Sequence, residues 1–209
     1  MASRPLRFIT FEGGEGGGKS TQLRGLAEAL RAAGQDVVTT REPGGAPGAE
    51  EIRRLLVEGE PGRWTPEAEA LLHFAARAEH LDKVIRPALN AGKWVLCDRF
   101  ADSTLAYQGY GQGVDLAWLK TLRKRVVGAT EPGLTLVLDL PVETGLGRAQ
   151  AQQRYERMGA AFHARLRQGF LAIAKEEPAR CVLIDAARPI EAVAGDVTAA
   201  LAKRYGVTL

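Results

Sequence analysis

The chain has 209 residues, of which 45% are apolar and 25% are charged. This length and composition fit a single globular domain with its own core, and they exclude a disordered chain. The net charge of +3 and the pI of about 9.0 are mildly basic, which fits a nucleic-acid binder or a protein that handles phosphate-rich small molecules.

Short apolar runs alternate with helical patterns along the chain. The runs are continuous, as expected of strands buried on both faces, and strand–helix alternation is typical of a parallel sheet. The predicted strands are Leu6–Phe11, Asp36–Thr40, Lys93–Cys97, Leu134–Leu140 and Cys181–Ile184; the predicted helices are Ser20–Ala33, Pro66 to about Pro87, Asp115–Val127, Val142–Tyr155, Phe162–Lys175 and Ile190–Tyr205. We therefore predict an α/β fold in one domain, residues 1–209, with a five-stranded parallel sheet covered by helices on both faces.

Glycine and proline concentrate in three segments, which we interpret as loops: Arg41–Gly48, Glu58–Trp64 and Gln108–Gly113. Ligands bind at loops that follow the strands of such sheets. No apolar run is long enough to span a membrane, and the N-terminus lacks the features of a signal peptide, so we expect a cytoplasmic protein. Cys97 and Cys181 lie in strand-like runs and are interpreted as buried, reduced thiols.

The first predicted strand is followed by the pattern G-x-x-x-x-G-K-S, from Gly13 to Ser20, which opens a helix. Its glycines let backbone N–H groups point at phosphate oxygens, and the helix N-terminus favours an anion. Lys19 is expected to reach the β- and γ-phosphates, and the Ser20 hydroxyl to bind Mg²⁺. The predicted triphosphate loop comprises Gly13, Gly14, Glu15, Gly16, Gly17, Gly18, Lys19, Ser20 and Thr21. The motif alone does not separate a kinase from a GTPase or an ATPase switch.

A second acidic element ends the third strand, in the sequence KWVLCDRF. Asp98 can bind Mg²⁺, directly or through water, or hold Lys19. Arg99 follows, and its planar guanidinium suits a phosphate at the reaction centre because it binds two oxygens at once.

Three further segments, TREPGG (Thr40–Gly45), LLHFAARAEH (Leu71–His80) and DRFADSTLAYQG (Asp98–Gly109), follow the glycine-rich loop in that order. Together the four segments closely resemble bacterial thymidylate kinases, and the resemblance extends from Phe8 to about Asp185. It implies transfer of the γ-phosphate of ATP to dTMP with Mg²⁺ as cofactor, without a covalent phospho-enzyme. It also implies a homodimer, formed through the helices that follow Thr65 and Asp115.

The resemblance assigns acceptor-site roles to individual residues. Arg77 is expected to bind the thymine carbonyl, and Phe74, one turn earlier, to stack on the base. Arg41 and Arg99 are expected on the acceptor phosphate, and Glu15 is expected to organise that side of the site. The deoxynucleoside pocket is expected to be lined by Ser103, Thr104, Tyr107 and Gln108, with the tyrosine ring excluding a 2′-hydroxyl.

Phosphoryl transfer spreads negative charge over oxygens, so cations must be present at that moment. The glycine-rich loop has Gly16 where some thymidylate kinases have arginine, so we expect the charge from a mobile lid at 147–160. Its candidates are Arg148, Arg154 and Arg157, with Arg148 matched by position most securely. Backbone around 185–188 is the expected adenine contact.

Three alternatives compete with this interpretation. The nearest is a kinase of the same fold acting on dGMP, CMP or AMP, against which the REPGG and S-T-x-A-Y-Q-G segments argue. A P-loop ATPase switch would need a water-positioning residue and switch loops, and neither is clear. A nucleic-acid binder would interleave aromatics with basic residues, but Leu119–Gly128 has none and its charges are interpreted as a solvated helix face, so we expect no nucleic-acid or membrane partner.

Overall fold

The computed structural model describes residues 5–60, 62–148, 155 and 157–209. Strands and helices alternate through these ranges. The strands are β1 Phe8–Glu12, β2 Val37–Arg41, β3 Trp94–Asp98, β4 Leu134–Asp139 and β5 Cys181–Asp185; the helices are α1 Lys19–Ala32, α2 Pro47–Val57, α3 Pro66–His80, α4 Arg86–Asn90, α5 Ala101–Thr104, α6 Leu116–Val127, α7 Val142–Arg148, α8 Ala160–Glu176 and α9 Ile190–Tyr205. Two π-helical segments, Leu81–Ile85 and Leu105–Gly111, continue α3 and α5.

All five predicted strands form, and they make one parallel sheet in the order β2-β3-β1-β4-β5. The predicted fold class is therefore confirmed. Phe11 and Arg41 both pair with Asp98, and Asp139 pairs with Asp185, so the carboxyl ends of the strands lie level along one edge. Such an edge is where open parallel sheets bind ligands.

Alternate residues of each strand point to opposite faces of the sheet, and helical segments cover both faces. Ile9 and Phe11 pack with buried side chains of α1 and α9, whereas Phe8 packs with the π-helical segment Leu81–Ile85 on the other side. Cys97 and Cys181 are buried and free, as predicted. Within the described ranges, no helix combines the length and the apolar character needed to cross a membrane.

Two helical regions were wrongly interpreted as loops. The segment predicted as a loop to Gly48 already enters α2 at Pro47, a proline in the first turn, which the preset φ of the ring favours. The segment Leu105–Gly111 is π-helical, although part of it was predicted as loop from its glycines. The predicted helix Val142–Tyr155 is too long. Among the described residues, α7 is helical only as far as Arg148, and Tyr155 lies in a turn.

A buried polar cluster corrects the interpretation of α6 as a solvated charged face. Arg123 is buried and pairs with Glu131 at 2.6 Å and with Asp102 at 3.2 Å. Arg180, just before β5, pairs with Asp102 at 2.7 Å and also donates to the Thr135 hydroxyl. The two arginines thus share one buried carboxylate between the sheet and its helices.

Candidate active site

The glycine-rich loop joins β1 to α1 at the carboxyl edge of the sheet. Gly13 has φ +127°, and a Cβ there would lie 2.3 Å from the Leu138 carbonyl oxygen, so no other residue fits. Lys19 is buried, and its ammonium donates to the carbonyls of Gly13 at 3.2 Å and Gly14 at 2.6 Å. Burial, and then the nearby positive charge of Arg99, lowers the pKa of Lys19 to about 8. The ammonium is thus held inside the loop, where an added anion would stabilise its charge.

The two predicted metal ligands meet beside this loop. The Ser20 hydroxyl donates to the Asp98 carboxylate. Ser20 lies in α1, which follows β1, and Asp98 ends β3, so the pairing of these two strands brings the residues together. Both residues line a cavity of about 370 Å³ at this edge of the sheet. Two hard oxygen donors at the mouth of a phosphate loop fit Mg²⁺, which binds one or two protein oxygens and takes its other ligands from water and phosphate.

Arg99 lies at the centre of the site in a left-handed backbone conformation, with φ +68°. Its guanidinium donates to both oxygens of Glu15, at 3.0 and 3.1 Å, and to the Gly13 carbonyl at 2.9 Å. The Tyr107 hydroxyl donates to the same Glu15 carboxylate. Burial alone would raise the pKa of Glu15, but Arg99 and then Lys19 outweigh it and lower the pKa to about 2. Glu15 is therefore ionised and fixes Arg99 and Tyr107 against the loop.

Glu12, the last residue of β1, holds the segment that follows Arg99. It is fully buried, and one of its oxygens accepts from the backbone N–H groups of Phe100 at 2.8 Å and Ser103 at 3.3 Å. The Ser103 hydroxyl is 2.6 Å from its other oxygen. Burial, and then the charge of nearby Asp102, raises the pKa of Glu12 to about 8. Glu12 thus caps the start of α5, which has no side-chain cap of its own.

Arg77 of α3 is almost fully buried, with 2% of its surface exposed. It donates to Glu42 at 2.8 Å, to the Phe100 carbonyl at 3.1 Å and to the Thr104 hydroxyl at 3.0 Å. Its remaining nitrogen, Nη1, has no partner among the described residues, and neither has the side-chain oxygen of Gln108. Both residues line the same cavity as Ser20 and Asp98, so a donor and an acceptor remain for a ligand there.

Further positive charge stands where β2 ends and α2 begins. Arg41 is half exposed and pairs with Glu50 at 3.1 Å, and Arg53 donates to the Pro43 carbonyl at 2.6 Å. Burial, and then the charge of Arg41, lowers the pKa of Arg53. An anion between the two arginines would therefore relieve their repulsion.

One cavity of about 370 Å³ joins these parts. Its lining includes residues of the glycine-rich loop with Ser20 and Asp98, the arginines Arg41, Arg53 and Arg99, and the polar residues Arg77, Thr104, Tyr107 and Gln108. The phosphate loop and a second group of cationic and polar side chains therefore face one shared, partly open space.

Comparison with known proteins agrees with this arrangement. The family model for thymidylate kinase matches residues 11–197. The chain belongs to the thymidylate kinase family. It is 55% identical to the thymidylate kinase of Caulobacter vibrioides over 203 residues, covering 96% of this chain and 98% of the relative. The thymidylate kinase of Dinoroseobacter shibae is 53% identical, with 95% and 98% covered. The crystal structure of the Ehrlichia chaffeensis thymidylate kinase superposes with a TM-score of 0.76 at 39% identity, covering 93% of this chain and 97% of that one.

Most site residues predicted from the sequence line the cavity of this kinase. The predicted residues that do so are Glu15, Gly16, Gly17, Gly18, Lys19, Ser20, Thr21, Arg41, Arg77, Asp98, Arg99, Ser103, Thr104, Tyr107 and Gln108. Gly13 and Gly14 lie just behind, with their carbonyls on Lys19.

Phe74 is 3% exposed and packs in the hydrophobic core with Leu105 and Phe162, and its ring centroid lies 5.0 Å from the Arg77 guanidinium. Its expected role in stacking on the base stays a prediction. The preceding residue, His73, lines the cavity. Arg53, His73 and Tyr155 are cavity residues that the sequence analysis missed. Arg53 could have been found only from its position in α2, about one and a half turns after Pro47, and the sequence analysis did not predict α2.

The three lid arginines have different outcomes. Arg148, at the end of α7, donates to the Ala186 carbonyl at 3.3 Å, and its Cβ lies 3.0 Å from where a Cβ on Gly16 would be. It therefore stands beside both the glycine-rich loop and the predicted adenine segment. Arg157 donates to the Gly59 carbonyl at 2.6 Å, on the loop between α2 and α3. Arg154 lies outside the described residues.

Proposed function

We propose that this kinase transfers the γ-phosphate of ATP to dTMP, giving ADP and dTDP by direct in-line attack of the acceptor phosphate. The observation that carries the proposal is the shared cavity, which unites a triphosphate loop with a second anion site and a polar base pocket in a member of this family. The acceptor oxygen is already an anion, so no general base is required, and catalysis consists of positioning and charge neutralisation.

On the donor side, we assign the phosphates of ATP to residues 13–21, with Lys19 on the β- and γ-phosphates. Ser20 and Asp98 would hold Mg²⁺, which when bound neutralises charge on the donor phosphates. Backbone N–H groups of the loop and the Lys19 ammonium orient the γ-phosphate toward Arg99. We also propose that the segment 147–160 acts as a lid on a single domain and that at least one of its arginines stabilises the transferring group.

On the acceptor side, we assign the phosphate to Arg41, Arg53 and Arg99, whose planar guanidinium groups carry positive charge and N–H donors. Glu15 fixes Arg99 through two hydrogen bonds, so this guanidinium needs little reorganisation during the reaction. The ring of Tyr107 is assigned to the sugar, where it would leave no room for a 2′-hydroxyl.

The base pocket favours thymine or uracil over cytosine. The Nη1 of Arg77 can only donate, so it matches a ring carbonyl, and the Gln108 oxygen can only accept, so it matches a ring N–H. Cytosine presents an amino group and an unprotonated ring nitrogen at the corresponding edge. It would therefore leave buried groups unpaired, which costs more than a missing contact at the surface.

We further propose a homodimer through α3 and α6 and a cytoplasmic location. Leu71 of α3 is 49% exposed, and Trp118 and Leu122 of α6 are only partly buried. A second copy packed on these helices would cover this apolar surface.

The test measures ADP release by the purified protein with ATP and Mg²⁺, across dTMP, dUMP, dGMP, CMP, AMP and no acceptor. We expect release that depends on dTMP and is much weaker with the purine and cytidine nucleotides. Release without any acceptor would indicate an ATPase and would overturn the proposal. Omitting Mg²⁺ is expected to abolish the reaction, and sedimentation of the same sample would test the dimer.

A further inference from the structure

The amide group of Gln108 lies between the acceptor pocket and a buried carboxyl group. Gln108 is fully buried in the π-helical segment Leu105–Gly111 and lines the cavity. Its Nε2 atom donates to Glu69 Oε1 at 2.7 Å, whereas its Oε1 atom has no partner within the part of the chain that the structure describes. The nitrogen of the amide is therefore held on the protein side, and the oxygen remains for a ligand.

Glu69 lies behind Gln108 rather than at the cavity. It is in the first turn of α3, is buried, and is not among the described residues that line the cavity. The same Oε1 atom of Glu69 also accepts from the Gln112 Nε2 atom, at 2.9 Å. Two amide N–H groups therefore converge on one oxygen, which acts as an acceptor towards both.

This acceptor decides which end of the Gln108 amide faces the pocket. The two ends of an amide have nearly the same shape, so packing alone does not distinguish them. A reversed amide would place its oxygen against Glu69 Oε1, and two acceptors would then face each other. Because a buried polar group without a partner is costly, the reversed amide is disfavoured while Glu69 is present.

The direction of the amide matters because pyrimidine bases differ at the edge that Gln108 can contact. Thymine has a ring N–H between two carbonyl groups, whereas cytosine has an unprotonated ring nitrogen beside an amino group. The oxygen of Gln108 pairs with the first edge and opposes the second. Arg77, about two turns after Glu69 on the same helix, offers its Nη1 donor into the same cavity. Helix α3 thus carries a donor for the base edge and the carboxyl group that orients the acceptor.

We propose that Glu69 is a positioning residue that fixes the Gln108 oxygen towards the acceptor base and thereby sets the preference for thymine over cytosine. The inference rests on the proposed function, since it explains the selectivity of that same acceptor site. Glu69 needs no contact with the nucleotide for this role, because it acts through its hydrogen bond with Gln108.

The test replaces Glu69 by glutamine, which has nearly the same size and can offer either an oxygen or an N–H group to Gln108. Both directions of the Gln108 amide then have a partner. The kcat/KM is measured with ATP and Mg²⁺ for dTMP and for 5-methyl-dCMP, which keeps the methyl group and the deoxyribose and differs only at the base edge. Thermal unfolding of each variant shows whether it is folded.

Gln112→Met is the matched control. It removes the other donor to Glu69 Oε1, keeps the length of the side chain, and leaves the bond from Gln108 in place. We expect this variant to keep the ratio of kcat/KM for dTMP to kcat/KM for 5-methyl-dCMP within about twofold of the wild-type value.

We expect Glu69→Gln to lower that ratio by roughly tenfold, the usual scale for one mismatched buried polar group. Most of the change should be a gain with 5-methyl-dCMP, because thymine can still select the original direction of the amide. Only part of the selectivity should be lost, because the Arg77 donor still opposes the cytosine amino group. Glu69→Met, which removes the acceptor and adds no donor, should lower the ratio as well and answers the same question if Glu69→Gln does not fold.

A double variant tests whether Glu69 acts through Gln108. Gln108→Met removes the amide and keeps the length of the side chain. In this background Glu69→Gln should not change the ratio further, because the group that Glu69 orients is already absent.

An unchanged ratio in a folded Glu69→Gln protein would overturn the proposal. An equal loss of kcat/KM with both nucleotides would also overturn it, because a purely structural role predicts that result. A fall of the same size in the Gln108→Met background would show that the effect does not pass through Gln108. If the wild-type protein phosphorylates dTMP but the ratio does not respond to these variants, only this inference fails. If the wild-type protein does not phosphorylate dTMP, the proposed function fails as well.

Discussion

Asp102 is a buried carboxylate, 1% exposed, that pairs with two arginines behind the active site. We expect Asp102→Asn to destabilise the fold, because it leaves the positive charges of Arg123 and Arg180 buried with less compensation. Removing one partner of a buried ion pair costs about 3 to 5 kcal/mol in general. Both arginines keep their pair with Glu177, and Arg123 also keeps Glu131, so the loss should lie near about 3 kcal/mol at neutral pH.

The assay is urea-induced unfolding followed by tryptophan fluorescence, which includes the signal of Trp94, 1% exposed in the core. A lower urea concentration at the midpoint of unfolding, with an unchanged slope of the unfolding free energy against urea concentration, would report a true loss of stability. The matched control is Asp196→Asn, which breaks the half-exposed pair with Arg188 and should cost less than about 1 kcal/mol.

The pH dependence gives a second check on Asp102. Burial alone would raise its pKa, but Arg180 and then Arg123 outweigh this and lower it. A lowered folded-state pKa means that the stabilisation is complete above the ordinary carboxyl range and is lost as the pH falls through the lowered value. The difference in the free energy of unfolding between the wild-type protein and Asp102→Asn should therefore become smaller as the pH falls. A neutral-pH loss no greater than that of the Asp196 control would refute the reasoning.

Three further experiments, with five single replacements, test the assigned roles. Lys19→Met should lower kcat by roughly a hundredfold or more with little loss of stability, measured by steady-state kinetics and urea unfolding, because burial already disfavours its charge. Tyr107→Ala should reduce the preference for dTMP over ribothymidine monophosphate by roughly tenfold in kcat/KM, and an unchanged ratio would contradict its sugar role. Among single alanine variants of Arg148, Arg154 and Arg157, at least one should lower kcat by roughly a hundredfold, and three unaffected variants would exclude the lid hypothesis.

The strands could be predicted because their residues are buried on both faces, which leaves continuous apolar runs in the sequence. The phosphate loop could be predicted because its glycines and its lysine must occur at fixed spacing. The helix α2 was missed because the glycines and prolines before it favour a loop, although Pro47 in the first turn is compatible with a helix. The helical segment from Ala101 to Gly111 was missed because its N-terminal cap comes from Glu12, nearly ninety positions earlier.

The acceptor pocket shows a different limit of sequence analysis. Adjacent rings at positions 73 and 74 are both within one turn of Arg77, so spacing alone does not decide which of them lines the pocket. The decision comes from the core, which takes the more apolar ring of Phe74 and leaves the imidazole of His73 at the cavity. The buried pair of Arg123 and Asp102 could not be predicted either, because charged residues in a sequence indicate a solvated surface unless their partners are known.

Glu12 provides a final prediction, on the protonation of the site. With a pKa raised from 4.5 to about 8, the folded protein holds a proton on Glu12 that the unfolded chain has released. The free energy of unfolding should therefore fall as the pH rises from about 5 to about 8, by a few kcal/mol. Glu12→Gln cannot titrate, yet it can still accept from the Phe100 N–H and donate to the Ser103 hydroxyl. The variant should consequently gain stability relative to the wild-type protein as the pH rises.

Urea unfolding at several pH values between about 5 and about 9 measures this difference directly. Glu176→Gln, at an exposed carboxylate paired with Lys120, controls for the loss of a negative charge. Parallel profiles for wild type and Glu12→Gln would show that the hydrogen bonds from Phe100 and Ser103 keep Glu12 ionised. The cap on α5 would then be a carboxylate, and the charge behind Arg99 would be one unit more negative than the burial of Glu12 implies.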